Sequence, residues 1–539
     1  MNQRFFRFIL IFLLVTGVVR ASDYSYLYKN LPFEMPVLEK PTFPDNRVSV
    51  ADFGGIPDGT FLNTDAFAKA MDALAAKGGG TLVVPIGIWY TGPIVLQSNI
   101  NLHLEEGALI LFTSDTDQYP VIKTSYEGLE SLRCQAPISG MNLTNIAITG
   151  KGSINGSGEA WRPLKKDKVT ARHWDNVVKS GGAVKNGNIW YPSAGALKGS
   201  ELSEMNVARK PETEAQWQDA KDFLRPVMVS LVGCKNVLLE DVLFENSPNW
   251  NVHPLMCENV IIDNVFIRNP GYAQNGDGLD LESCKNAIIV NSTFDVGDDA
   301  ICLKSGKDEE GRKRGMATEN VIVDNCKVFQ GHGGFVVGSE MSGGVKNVSV
   351  KNCQFLGTDV GLRFKSTRGR GGIVENIYVE NLTMFNLATE ALLFDLYYGR
   401  KVSPEMIAEE EAKPVPAADD TTPAFRNIYI KDVIARNARR AMYFNGIPEQ
   451  NIDNINIENV SISATYGAEL YESSNITFKN VRITPTEGPA LLARNVKNLN
   501  VVSLDFPDTL QKAVRLSGAK LQNIQLPESI SEDRIEKIK

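Results

Sequence analysis

The chain has 539 residues, a formal charge of −8, 43% hydrophobic residues and 22% charged ones. That balance excludes a disordered chain and argues against nucleic acid as a partner, since such binders are usually basic. Length alone suggests two to four ordinary domains, unless the chain is repetitive and each repeat packs only on its neighbours.

The first 21 residues have the layout of a secretory signal. Arg4 and Arg7 precede an apolar run, Phe8–Val19, and Val19-Arg20-Ala21 ends in a small residue suited to cleavage. The run is short for a membrane span. Loss of Arg4, Arg7 and Arg20 takes the charge from −8 to −11. Nothing later reads as transmembrane, so the expected product is exported, to a periplasm or to the cell exterior, with no membrane contact. Any grip on an acidic ligand must then come from a local basic patch.

Residues 22–130 read as an N-terminal segment that caps the repeats downstream of it. Arg47–Phe53 has strand character. Asn63 or Thr64 can cap a helix whose Phe67, Ala70, Met71 and Leu74 share a face, and Gly78-Gly79-Gly80 stops it. Strand-like runs come next at Thr81–Val84 and Asn99–Leu104. A helix here would cover the open end of a sheet whose edge would otherwise recruit other chains.

From residue 131 to 527 one pattern recurs: Asn, apolar, any, apolar, any, Asn or Asp, then apolar or Cys. It reads NVLLEDV from Asn236, NVIIDNV from Asn259, NAIIVNS from Asn286, NVIVDNC from Asn320, NVSVKNC from Asn347 and NIYVENL from Asn376. Copies return at Asn427, Asn454 and Asn475, at spacings of about 21–34 residues with one gap of 51. Alternation over a short run is the period of a half-buried strand. The second Asn or Asp falls where the strand turns and tolerates left-handed backbone. Such repeats indicate an all-β, single-stranded parallel β-helix. The fixed spacing of leucine-rich repeats is missing, and a propeller needs a longer period.

Two stretches do not repeat. Residues 161–225 hold Trp161, Trp174, Trp190 and Trp217 and suit a wall at one end of a groove; residues 397–425, acidic with three prolines, read as decoration. The segment 528–539 reads as a loose charged tail or short helix. Cys234, Cys257 and Cys284 each precede a repeat asparagine by two, and Cys326 and Cys353 follow one by six. Stacked positions of that kind suit free, buried thiols in a core ladder. With no CxxC and four scattered histidines, no zinc site, and no cofactor of any kind, is expected.

The chemistry-bearing residues recur about once per repeat. Asn275-Gly-Asp277 is followed by Gly297-Asp298-Asp299, Gly331-His332-Gly333 and Arg363-Phe-Lys365. Asp277 and Asp299 are 22 residues apart, His332 comes 33 later and Arg363 a further 31. On a solenoid these groups stack on neighbouring coils. Three carboxylates, an imidazole and two fixed cations along one groove suggest hydrolysis of an anionic sugar polymer. Glycoside hydrolysis needs a proton donor and a carboxylate that activates water, roughly 6.5–9.5 Å apart in inverting enzymes. Adjacent Asp298 and Asp299 should raise one another's pKa and keep one protonated. Lys307, Arg312, Lys313, Arg314, Arg368 and Arg370 suggest a positive funnel around the site.

These four ordered motifs resemble those of the polygalacturonase family, glycoside hydrolase family 28. So do Val50-Ala-Asp-Phe-Gly54, Thr91-Gly-Pro-Ile94, Gly150–Gly156, Asn246-Ser-Pro248 and His253-Pro254. The resemblance covers most of the mature chain. It implies a right-handed parallel β-helix that cleaves pectic polymers with inversion. It implies Asp299 as general acid, Asp277 and Asp298 as the pair activating water, and His332 as the residue that supports the acid and binds substrate. Arg363 and Lys365 would hold a galacturonate carboxylate, which Arg can bind through two parallel hydrogen bonds. Asn275 would orient substrate or the neighbouring acid. Lys304 and His253 are candidate substrate contacts, and Asp280 reads as structural. Here the family's Asn-Thr-Asp is Asn-Gly-Asp and its Arg-Ile-Lys is Arg-Phe-Lys, which leaves the chemical groups in place.

The expected activity is therefore an exo-acting hydrolase of α-1,4-galacturonosyl linkages, working on pectic polysaccharide or oligogalacturonides as a monomer. Residue-level rivals are a hydrolase of another pectic linkage such as rhamnogalacturonan, a lyase, which would need a calcium cluster and an arginine base, and a non-catalytic carbohydrate-binding β-helix.

Overall fold

The computed structural model describes residues 24–202, 214–400 and 413–538. The signal-like segment 1–21 lies outside them. One coil reads Val229–Val232, Lys235–Glu240, Leu243–Glu245, and then Val252–Leu255 begins the next. Each strand pairs in parallel with its counterpart one coil on, so three ladders run the length of a right-handed parallel β-helix. The ladder that carries the site passes through Ile138–Met141, Val229–Val232, Val252–Leu255, Leu279–Glu282, Asp299–Lys304, Gly333–Gly338, Val360–Lys365 and Glu390–Asp395.

The repeat asparagines explain the coil. Asn259 and Asn264 both have left-handed backbone, at φ 57° and 53°, a conformation that Asn adopts more readily than most residues. The second of each pair was expected to turn the chain; the first does so too. Each leading asparagine donates its side-chain amide to the one before it: Asn259 to Asn236 at 3.0 Å, Asn286 to Asn259 at 3.1 Å and Asn320 to Asn286 at 3.0 Å. Between them Val260 and Ile262 face the core, and so do their equivalents Val237 and Leu239. The 51-residue gap is one coil with a long loop, since Ile377 still pairs with Ile428.

The middle apolar residue of these repeats points outward. Ala147, Leu238, Ile261, Ile288 and Ile322 form a row that the N-terminal segment covers with Tyr24, Leu27 and Leu38. All seven cysteines are free and buried.

Several boundaries differ from expectation. The solenoid begins well before residue 131, because Arg47–Ser49, Gly80–Val84, Ile100–Leu104 and Thr144–Gly150 form one continuous ladder. The helix Thr64–Ala75 buries Phe67, Ala70, Met71 and Leu74 as expected, but Asn63 does not cap it. Its side chain instead binds the backbone of Ile56, Phe61 and Tyr90. The C-terminal segment is not a loose tail: Ile535–Ile538 adds a parallel strand beside Val514–Ser517.

The 161–225 insertion, where described, folds around Trp161, Trp174, Trp190 and Trp217, all buried. It carries the helices Ala171–Lys179, Ala194–Leu202 and Glu214–Gln218 and a small antiparallel sheet. Among the described residues no helix is long and apolar enough to cross a membrane.

Candidate active site

Four consecutive strands of one ladder deliver the expected residues. Asp277 precedes Leu279–Glu282, Asp299 opens Asp299–Lys304, His332 precedes Gly333–Gly338, and Arg363 and Lys365 lie in Val360–Lys365. Strand alternation sorts the last of these: Leu362 and Phe364 are buried in the core, where Phe364 stacks on Phe394 at 4.5 Å. Arg363 and Lys365 occupy the opposite face. Asp280, Cys302, Val336, Arg363 and Leu393 share one register row across the coils.

The three aspartates converge, with closest oxygens all within 4.8 Å of one another. Arg363 donates to Asp299 Oδ1 at 3.0 Å and Lys365 to Asp299 Oδ2 at 2.6 Å. A cation could use the same oxygens, but Arg363 and Lys365 already meet the charge of Asp299, while Asp277 makes no ion pair among the described residues, since Lys304 pairs with Asp280 and Glu340.

The protonation pattern departs from the expected one. Burial pushes the Asp299 carboxyl up, but Lys365 and Arg363 outweigh it and hold it well below the usual carboxylate range. Burial also pushes Asp298 up, and the hydrogen bond from His332 reverses that. Asp277 is the group raised well above its ordinary value, by burial first and then by Asp298 and Asp280. Its Oδ1 has no hydrogen-bond partner among the described residues. Adjacency of Asp298 and Asp299 therefore does not decide which one keeps a proton; the positions of the cations do.

His332 reaches Asp298 rather than the candidate acid. Its Nδ1 lies 3.1 Å from Asp298 Oδ1, and its Nε2 3.8 Å from Asp359. The hydrogen bond to Asp298 raises the imidazole pKa against the effect of burial. Asn275 has left-handed backbone, and its side-chain oxygen accepts from Arg225 at 2.9 Å. Arg225 also donates to Pro248 and Gln274 carbonyls, so the 161–225 insertion is anchored directly behind the first motif.

Two expected substrate contacts are buried instead. Lys304, 3% exposed, pairs with Glu340 at 3.0 Å and with Asp280 at 3.5 Å. His253, 2% exposed, binds Glu282 at 2.9 Å and packs edge-on against Trp250. Asp280 is fully buried, in keeping with a structural part.

The expected positive funnel is neutralised cation by cation. Lys307 pairs with Glu127, Arg312 with Asp420, Lys313 with Glu309, Arg314 with Glu282, Arg368 with Glu449, and Arg370 with Asp308 and Glu340.

Three contributors escaped the sequence reading. A hairpin, Val121–Tyr126 and Leu129–Cys134, reaches across the site ladder. Together with Ser139, Met141, Ser230 and Val232 of that ladder, its Ile122, Tyr126 and Arg133 line one cavity. At its tip Gly128 O accepts from Lys307 N at 3.2 Å, and Glu130 N donates to Glu310. Gly128 is left-handed at φ 73°, and a Cβ there would stand 2.5 Å from the Lys307 nitrogen, so glycine is required on both counts. Tyr126 binds Asn249 at 2.8 Å and packs on Trp250.

The second contributor is Tyr398, whose ring faces Lys365 at 5.0 Å and Arg363 at 5.8 Å. The third is Asp420, which closes the 397–425 loop onto Arg312. The described ends of that loop are thus more than decoration. Gly128, Tyr398 and Asp420 all lie outside the Asn-based repeat, which is why the pattern missed them.

A parallel β-helix with carboxyls, imidazole and a cation fork on successive coils of one ladder defines a carbohydrate-hydrolase scaffold. The model of glycosyl hydrolases family 28 matches residues 209–476. A probable polygalacturonase of Vitis vinifera is 30% identical over 463 residues, covering 82% of each chain. The exo-poly-alpha-D-galacturonosidase of Dickeya chrysanthemi is 27% identical, over 87% of this chain and 78% of its own. Among solved structures, a hyperthermoactive exopolygalacturonase from Thermotoga maritima superposes with TM-score 0.65 at 30% identity, covering 86% of this chain and 93% of its own. The chain belongs to glycosyl hydrolases family 28.

Proposed function

We propose that this chain is an exported hydrolase of α-1,4-galacturonosyl linkages in pectic chains, releasing single galacturonate units from the non-reducing end with inversion. The observation that carries exo action is the hairpin roof. Upstream of Asp277 the outer face of the site ladder lies beneath Val121–Cys134, which is tied at its tip to Lys307 and Glu310. In this reading the roof stops a polymer from running on through that end, whereas an endo-acting groove is open at both. The exo-acting relatives at 27% and 30% identity support the same reading.

In this reading Asp299 protonates the leaving oxygen, Asp277 and Asp298 activate water, and His332 holds Asp298 in place. Arg363 and Lys365 receive the galacturonate carboxylate, backed by Tyr398. Inversion rests on family membership. Export rests on the layout of residues 1–21.

The test uses oligogalacturonides tagged at the reducing end. Unlabelled galacturonate should appear while the tag stays on chains shortened one unit at a time, and proton NMR should show the inverted anomer first. Labelled monomer, or the retained anomer, would contradict the reading.

A further inference from the structure

Two claims fall on one pair of cations. Arg363 and Lys365 hold Asp299 by two short ion pairs, while the proposed function needs them for the substrate carboxylate. It also needs Asp299 protonated and Asp277 ionised, whereas in the free protein two ion pairs favour the Asp299 anion and the buried Asp277 Oδ1 has no hydrogen-bond partner among the described residues. We propose that the substrate carboxylate exchanges with Asp299 on the Arg363–Lys365 fork, and that the proton held by Asp277 then passes to Asp299.

The step is balanced. One O–H bond breaks on Asp277 and one forms on Asp299, directly or through a single water, across oxygens that lie within 4.8 Å. No proton enters or leaves the protein. The product of the exchange is the reactive triad: a neutral Asp299 and an anionic Asp277–Asp298 pair. The substrate's own charge would thus arm the acid, and a neutral sugar that bound the same place would leave Asp299 tied and ionised.

The surroundings favour this direction. Asp299 has Lys365 and Arg363 on the strand two coils on, Lys304 and Cys302 on its own, and Asp298 with His332 beside it. Once the fork is taken, Lys304 still favours the Asp299 anion, while the carboxylates Asp277, Asp298 and Asp280 oppose it. Glu340 and Asp280 keep Lys304 engaged below, Asp359 keeps to His332, and Asp395 lies one register step beyond Lys365. None of these is free to replace the fork as a partner of Asp299. Burial also raises Asp277 in the free protein, which is consistent with a proton stored there.

The experiment is calorimetric titration of digalacturonate into the Asp298→Asn protein, whose hydrolysis is blocked, and into the Asp277→Asn protein. Each is run in two buffers of different ionisation enthalpy. With Asp277 present, binding should take up close to no protons. In Asp277→Asn no stored proton exists, so uptake should approach one per ligand. Infrared difference spectra check the same step in folded protein: a protonated-carboxyl band should persist on binding in the first variant and appear only on binding in the second. Uptake of about one proton by both variants would overturn the internal transfer. No uptake by Asp277→Asn would overturn the exchange on the fork. Failure of digalacturonate to bind either variant would overturn the proposed function and this inference with it.

Discussion

Two clusters of buried charge sit on the same ladder, and they are built differently. At the start of the strands Asp277, Asp298 and Asp299 face Arg363, Lys365 and His332, with one carboxyl oxygen of Asp277 lacking a partner among the described residues. At the other end Glu282 is bound by both His253 and Arg314, and Glu340 by Lys304 and Arg370. In the second cluster each carboxylate is matched by cations or by His253. The first holds a buried carboxyl with no cation of its own. Burial alone therefore does not mark a functional site; a buried carboxyl in excess of its partners does.

The sharpest test of that contrast is Asp299→Asn. Hydrolysis should fall by about a thousandfold or more, in line with loss of a general acid, with the fold retained by circular dichroism. Arg314→Met should act the other way round. Leaving Glu282 with one partner fewer should cost about 3 kcal/mol of stability, read by denaturant titration, while kcat per folded molecule stays within a few-fold. A larger loss of kcat than of stability would erase the distinction between the clusters.

Gly128→Ala strains a left-handed residue and drives a Cβ into Lys307. It should cost about 1–3 kcal/mol and loosen the roof, so that digests of long polygalacturonate gain oligomers above the monomer. Unchanged products from a destabilised variant would show that the roof does not set the cleavage mode.

The smallest effect expected is pH-dependent. His332 is raised in the folded protein, so its contribution is present below about pH 6.5 and fades as pH rises through the folded value. Asp298 is lowered, so its contribution is present above about pH 4 and fades as pH falls through the folded value. The pair should add stability between those limits, under about 1 kcal/mol because both side chains are partly exposed. His332→Gln should flatten that part of the melting-temperature profile and leave the rest unchanged.

The coil was legible because its cause is local. Asn259 and Asn264 turn the chain by their own backbone preference, and Val260 and Ile262 face inward by alternation alone. The site was legible because motifs spaced by one coil must stack. What the sequence hid depends on contacts between distant segments. Nothing near Lys304 or Arg312 foretells Glu340 or Asp420, so an apparent positive funnel became a set of ion pairs. Nothing near Gly128 foretells Lys307, about 180 residues on, so the roof went unseen. Proton placement was misjudged for the same reason: Asp298 adjoins Asp299 in sequence, but Lys365 adjoins it in space.

Hydrolysis from one closed end with Asp299 as the acid is the expected behaviour. Its most direct test is a chromatographic time course of wild type and Asp299→Asn on polygalacturonate and trigalacturonate. Galacturonate accumulating from the first time point in wild type, and no product from the variant, is the predicted result. Early oligomers of intermediate length, or a variant as active as wild type, would contradict it.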